Sequence, residues 1–202
     1  MRSHKFDVII IGGGIMGSAT AYNLMKCDNR LKVAVIEMDP AYTRSSTTLS
    51  LSNIRIQFSL RENIEISKYA FKVLDGFSEE MAVGDTHPNI SFRREGNLFL
   101  FSPEELTTAE MALDLQRALE CSVEWFSPAD IRARYPFFTV EGLSGGIFGP
   151  ADGHFDAYAF LMGYKAKARS LGAHYMLAEV AAIDVIGGHA NGVQLKTGER
   201  LG

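Results

Sequence analysis

Apolar and polar positions along this chain fall into blocks of two kinds, and the blocks predict its elements. Residues 6–11 (Phe-Asp-Val-Ile-Ile-Ile) and 32–37 (Lys-Val-Ala-Val-Ile-Glu) are short β-branched runs, the pattern of buried strands in a parallel sheet. Between them Ile15, Ala19, Tyr22 and Met25 recur at helical spacing, predicting a helix over about 15–26. Strand, helix and strand in so short a stretch make a βαβ unit.

A polar, Ser/Thr-rich connection covers 39–60, and connections of that length in compact domains are functional or disordered. Ile66, Ala70, Val73, Phe77 and Met81 then predict a helix over about 62–82. The pattern changes at 90–101, which reads as two strands around Glu95-Gly96. A helix follows from Ser102-Pro103 to about Glu120, then a short strand at 123–126. Ser127-Pro128-Ala129-Asp130 opens a helix that must stop before Pro136. A glycine-punctuated strand covers 144–150. Ala157, Leu161, Tyr164, Ala168 and Leu171 align on a helix that Asp156 caps and Gly172 ends. Three strands close the chain, at 174–177, 180–186 and 192–196. No internal repeat is present. An α/β unit that departs into a mixed β-plus-helix segment and then returns implies one domain interrupted by part of another.

The loop Gly12-Gly13-Gly14-Ile15-Met16-Gly17 fits G-x-G-x-x-G. Gly12 permits the turn off the strand, Gly14 admits a pyrophosphate to the backbone, and Gly17 lets helix and sheet approach. The helix N-terminus adds N–H groups and a positive dipole end. Alone the pattern is weak. Here a buried strand precedes it, an amphipathic helix follows, and Glu37 closes the next strand, placed to accept hydrogen bonds from a ribose diol. That acid disfavours a 2′-phosphate, so NADP is not expected. The fingerprint leaves FAD and NAD both open.

Composition changes the picture little. The 202 residues carry a net charge of −4 and no basic run, which points away from a nucleic-acid partner. Cys27 and Cys121 have neither metal nor redox spacing and read as buried free thiols in a reducing, cytoplasmic compartment. Arg2, His4 and Lys5 precede the first apolar run as in a signal peptide, but Asp7 and the glycines cut that run short, so no cleaved leader and no transmembrane segment are expected.

Further residues decide between the dinucleotides. Glu37 is followed by Arg44-Ser45-Ser46-Thr47, then by Ile54-Arg55 before Gln57-Phe58. Arg94-Glu95-Gly96-Asn97-Leu98, the strand with Gly145-Gly146 and Gly149-Pro150, Asp152-Gly153, and Asp156 opening a helix that ends in Leu171-Gly172-Ala173 complete the set. In these motifs the chain resembles the D-amino-acid-oxidase-like flavoproteins, in the branch with glycine oxidase, sarcosine oxidase and dehydrogenase, and dimethylglycine dehydrogenase. The resemblance runs along essentially the whole chain and is poorly specific for substrate. It implies an α/β fold with a Rossmann-like FAD-binding βαβ core of the glutathione-reductase-2 type and an inserted substrate-domain segment, incomplete at the C-terminus. The implied division is 1–85 and 151–202 for the FAD-binding domain and 86–150 for the substrate domain.

The same resemblance implies site residues. Ile15 and Met16 amides lie near the pyrophosphate with Gly12, Gly14 and Gly17, Glu37 holds the adenosine ribose, and Met38 and Val180 adjoin the adenine. Arg44, Ser45, Ser46 and Thr47 line the pyrophosphate side, and Ser50, Leu51 and Ser52 the flavin ring. Arg55 is the catalytic candidate, able to clamp a substrate carboxylate or stabilise reduced flavin; an ion-paired or surface arginine is the plain alternative. His154 is not given a catalytic role. The loop has no histidine for covalent attachment, so FAD is expected to bind non-covalently through this region.

The activity implied is oxidation of the C–N bond of an amino acid or a secondary or N-methyl amine by hydride transfer to flavin. The electron acceptor would be oxygen, a quinone or an electron-transfer protein. Two other readings stand: a non-catalytic FAD-domain subunit or assembly factor, and an NAD-dependent dehydrogenase. Members of the resembled family are about twice as long, as an FAD enzyme with two domains requires. The chain is therefore expected to be an N-terminal portion that alone binds FAD weakly and turns nothing over.

Overall fold

The computed structural model describes residues 5–202. Arg2 and His4, two of the basic residues weighed against a signal peptide, lie outside them. In chain order the elements are β1 (Val8–Ile11), α1 (Ile15–Cys27), β2 (Val33–Glu37), α2 (Ser46–Leu49), β3 (Asn53–Ile54), α3 (Arg61–Glu80) and β4 (Asn97–Phe101). A 3-10 turn (Pro103–Glu105) leads into α4 (Leu106–Ala118). Then come β5 (Glu124–Phe126), α5 (Pro128–Arg134), β6 (Gly145–Gly149), β7 (Gly153–His154), α6 (Ala157–Ser170), β8 (His174–Leu177), β9 (Val180–Ile186), β10 (His189–Leu195) and β11 (Arg200–Leu201).

The chain divides into two compact units. One comprises 1–50, 77–90 and 156–202; the other comprises 51–76 and 91–155. The expected scheme kept 51–76 with the nucleotide domain and put the crossings near 85 and 150. The structure adds an earlier departure at Ser50/Leu51, and the crossing back at Gly76/Phe77 falls inside α3. An amphipathic helix carries no mark of such a change in its periodicity.

In the first unit β1, β2 and β8 form a parallel sheet in the order β1-β2-β8, with Val8 opposite Val33 and Ala34 opposite His174. Val33, Ala34, Val35 and Ile36 are all buried, as a continuous apolar run in a parallel sheet requires. α1 and α6 pack together through Tyr22 and Tyr164, whose ring centroids are 5.5 Å apart. Phe77 joins them, 4.5 Å from Phe160 and 5.3 Å from Tyr164. The buried face of α1 is Ser18, Ala21, Tyr22 and Met25, rotated from the one expected through Ile15 and Ala19. Asp156 caps α6 by accepting from the Ala159 N–H. The helix ends at Gly172, where the Ala173 and Gly172 N–H groups bond Ala168 O and Arg169 O in a Schellman arrangement. An antiparallel sheet, β11-β10-β9, packs Val193, Leu195 and Leu201 with Ile36.

The second unit holds the antiparallel sheet β4-β6-β5 and the pair β3-β7. Its core includes Ile56, Ile64, Leu113 and Ile147. Capping boxes at Ser102 and Ser127 start the helical segments where expected. Two expectations need correction. Of the two strands around Glu95-Gly96 only the second forms, because the first leaves Arg93 in a single bridge to His154. The inward face of α3 runs through Ile64, Ser67, Leu74 and Phe77, so that Ile66 is 66% exposed. The thiols differ as well: both are free, but Cys27 is exposed and Cys121 half-buried.

Candidate functional site

Two consecutive peptides of the glycine loop are each held by a side chain. The Gly13 N–H donates to Glu37 Oε2 at 2.7 Å. The carbonyl of the same peptide, that of Gly12, faces α1, where a Cβ on Gly17 would overlap it. This is why position 17 has no side chain. Gly12 itself has φ +94°, a left-handed conformation open to glycine. The next carbonyl, of Gly13, accepts from the buried Ser18 hydroxyl at 2.7 Å. The first turn of α1 itself contains no acidic side chain that would oppose an anion there.

Glu37 is fixed at both oxygens. Oε1 accepts from the Asp39 N–H at 2.7 Å, while Oε2 holds Gly13. Asp39 in turn accepts from the Ala41 and Thr43 N–H groups and from the Thr43 hydroxyl, which folds the chain after β2 into a turn. These bonds hold the exposed Asp39 carboxyl below its usual range, the Thr43 hydroxyl foremost. The turn drives Tyr42 inward, to 2% exposure. Its ring lies under Lys165 Nζ at 4.8 Å. Its hydroxyl, without a protein partner, lies against Gly13. Burial, with the Glu37 charge second, pushes the Tyr42 pKa up to about 12.

Above these residues lies a cavity of about 330 Å³, in the range of ligand pockets. It sits at the carboxyl ends of β1 and β2, where open α/β sheets bind ligands. Among the expected residues Gly12, Gly14, Glu37, Met38, Arg44, Ser45 and Val180 line it. Ile15, Met16 and Gly17 form the first turn of α1 beside it, with Met16 80% exposed. Ser46 and Thr47 open α2, and Thr47 Oγ1 accepts a long bond, 3.4 Å, from the Ile15 N–H. Ser50 ends the first unit, and Leu51 (93% exposed) and Ser52 begin the second.

The wall also contains Asp39, Tyr42 and Ala178, which sequence reasoning did not name. A large aromatic side chain within a Ser/Thr-rich loop was the available signal for Tyr42. Such a ring is buried only if the loop folds back onto the sheet.

Arg55 belongs to the second unit. Its guanidinium carbon lies 4.8 Å from the Phe58 ring centroid and 5.0 Å from that of Phe99. Its Nε is buried without a hydrogen-bond partner. The Asp152 charge nevertheless acts on it, and Arg55 favours the ionised form of that carboxyl. Beside it the buried Asp152 carboxylate accepts from the Ile56 N–H (2.9 Å), from Gln57 Nε2 (2.9 Å) and from Asn97 Nδ2 (3.4 Å). Burial outweighs those bonds and raises the Asp152 pKa. His154 is half-exposed, with Nδ1 3.7 Å from Glu95.

Residues 7–201 match the family model described as DAO, FAD dependent oxidoreductase. The chain belongs to that family. It is 36% identical over 181 residues to FAD-dependent oxidoreductase domain-containing protein 1 of Xenopus laevis, covering 87% of this chain and 36% of that one. It is 25% identical over 177 residues to mitochondrial dimethylglycine dehydrogenase of Mus musculus, covering 84% and 19%. Among solved structures, L-proline dehydrogenase from P. horikoshii superimposes with a TM-score of 0.83 at 25% identity, covering 98% of this chain and 51% of that one. The chain therefore spans about half or less of the length of these relatives.

A family dependent on FAD excludes the NAD reading. The residues present fit the ADP end of that cofactor. The loop approaches without side chains at 12, 13 and 14, the acid is fixed at the strand end, and Tyr42 brings a buried hydroxyl without a partner to the cavity wall.

Proposed function

We propose that the protein to which this chain belongs oxidises the C–N bond of an amino acid or a secondary amine. The observation that carries this reading is the glycine-loop cavity with its doubly anchored Glu37, in a family that depends on FAD. When bound, FAD supplies the two-electron acceptor. The residues of this chain bind and orient. Glu37 would accept from the ribose diol, Gly12 and Gly14 admit the diphosphate, and Arg44 and Ser45 neutralise it from the facing side of the cavity. Ile15, Met16, Gly17, Ser46 and Thr47 would complete the diphosphate surround, Met38 and Val180 the adenine pocket, and Ser50, Leu51 and Ser52 the flavin side.

Arg55 would hold the carboxylate of an amino-acid substrate. The Phe58 and Phe99 rings pack against its guanidinium. The names of the relatives support an amine or amino-acid substrate: one is a dimethylglycine dehydrogenase and another an L-proline dehydrogenase.

The test is a flavin spectrum of the protein followed by an anaerobic screen of amino acids and N-methyl amines. The expected result is bleaching by a carboxylate-bearing amine, weakened in KM by Arg55→Lys. A flavin-loaded protein that no amine bleaches favours the second reading, a non-catalytic FAD-domain subunit or assembly factor.

A further inference from the structure

Ser18 and Tyr175 adjoin the glycine loop, and neither lines the cavity. Ser18 is completely buried on α1, and its hydroxyl donates to Gly13 O at 2.7 Å. The Tyr175 hydroxyl, from β8, donates to Ser18 Oγ at 3.0 Å. Burial pushes the Tyr175 pKa up to about 12, so this donor keeps its proton across the working range. The chain of bonds thus runs from the third strand of the sheet, through a helix, to one peptide carbonyl of the loop.

That carbonyl belongs to the peptide joining Gly13 and Gly14. A trans peptide is planar, with its C=O and N–H pointing in opposite directions. No cis peptide occurs among the described residues. Drawing the Gly13 carbonyl back onto Ser18 therefore turns the Gly14 N–H forward, and Gly14 lines the cavity. Glycine has no side chain to select one peptide orientation over its flip, and three glycines in a row leave this peptide the least constrained in the loop. Glu37 fixes the preceding peptide through the Gly13 N–H. A second anchor is needed for this one.

We propose that Ser18 and Tyr175 are positioning residues that select the peptide orientation in which the Gly14 N–H faces the diphosphate of the bound dinucleotide. This rests on reading the cavity as the ADP end of the FAD site. With Ser18 present the loop is organised before binding, and the ligand does not have to turn the peptide. The effect is confined to ligands that carry phosphate. Adenosine, which has none, does not reach this N–H.

The test compares three ligands, FAD, ADP and adenosine, by fluorescence quenching and ligand-observed NMR. The chain, its Ser18→Ala variant and its Tyr175→Phe variant are used, at a temperature where circular dichroism shows each folded. Ser18→Ala is expected to weaken FAD and ADP about tenfold and adenosine less than twofold, on the scale of one charge-assisted hydrogen bond. Tyr175→Phe removes only the supporting donor and is expected to weaken FAD and ADP about threefold, again sparing adenosine. Equal losses for ADP and adenosine, or no loss for either, overturn the proposal. If Ser18→Ala does not fold, Tyr175→Phe decides alone, and unchanged ADP affinity in it overturns the proposal. Failure of the unsubstituted chain to bind FAD and ADP at all would instead remove the reading of the cavity.

Discussion

The Glu37 carboxylate accepts a 2.7 Å hydrogen bond from the Gly13 N–H, joining the end of β2 to the loop that follows β1. Its other oxygen accepts from Asp39 N–H, so one side chain fixes the loop and the turn together. Glu37 is 20 positions beyond Gly17, the spacing that marks a ribose-binding acid. The structure gives it a second task that the spacing alone does not reveal.

Glu37→Gln separates these tasks from mere shape. A carboxamide offers one acceptor oxygen, so whichever way it turns, one of the two backbone N–H groups meets an NH2. The expected cost is about 1–3 kcal/mol, because a part-buried donor is left unsatisfied. FAD affinity should fall with it, by about tenfold or more. Chemical denaturation without ligand and FAD titration measure the two effects.

Gly17→Ala should be more severe than its size suggests. The added Cβ would overlap the Gly12 carbonyl oxygen and crowd Ile10, and a backbone atom cannot move aside as a flexible side chain can. A loss of about 2–4 kcal/mol is expected, at the upper end for a single methyl group. Gly76→Ala is the matched control, since nothing lies within 4 Å of a Cβ there. Thermal melts of the two variants should diverge, with the control unchanged or slightly raised.

Much of the first unit was legible in the sequence because its signals are local and dense. Four consecutive buried residues made β2 readable, and the loop, helix and acid followed in fixed order. Helix starts at Ser102, Ser127 and Asp156 were legible because a cap is written in three or four adjacent residues. What was missed depends on distant partners. Residues 90–93 have strand-like composition, but the β-bridge found there joins Arg93 to His154, and nothing near it in sequence says so. Tyr42 was missed as a wall residue because its burial follows from the turn made by Asp39. Arg55 was legible as a candidate, yet the rings of Phe58 and Phe99 that hold it come from positions 3 and 44 residues away.

Tyr42→Phe has an unusual expected sign. The hydroxyl is buried without a protein partner, and leaving a polar group in that state is costly. Removing it while keeping the ring should leave the ligand-free chain as stable or stabilise it by about 1 kcal/mol, where most buried substitutions destabilise. The Lys165 contact with the ring face survives the change. If the hydroxyl bonds the cofactor, FAD affinity falls in the same variant that melts no earlier. A lowered melting temperature without ligand would show that the hydroxyl already has a partner.

Asp152 sets a pH dependence whose direction follows from burial. Its folded pKa lies above the unfolded value because the carboxylate is out of water, and the bonds from Gln57, Ile56 and Asn97 do not fully offset this. The folded chain therefore holds the proton more tightly than the unfolded one. Stability from this group is fully present below the ordinary carboxylate range, and it is lost as pH rises through the raised folded pKa. The paired surface acids Asp28, Asp39 and Asp130 are shifted down and act in the opposite sense, but they are exposed and screened by solvent. Asp152→Asn removes the titration at the cost of placing an NH2 against the Gln57 and Asn97 donors. At neutral pH those two effects oppose each other. At low pH, where Asp152 is protonated and would donate a bond itself, the variant loses contacts and gains nothing. Denaturation measured from about pH 4 to pH 7 should show the variant's deficit shrinking as pH rises. A deficit that grows with pH would mean that Asp152 is ionised, and better paired than its burial implies.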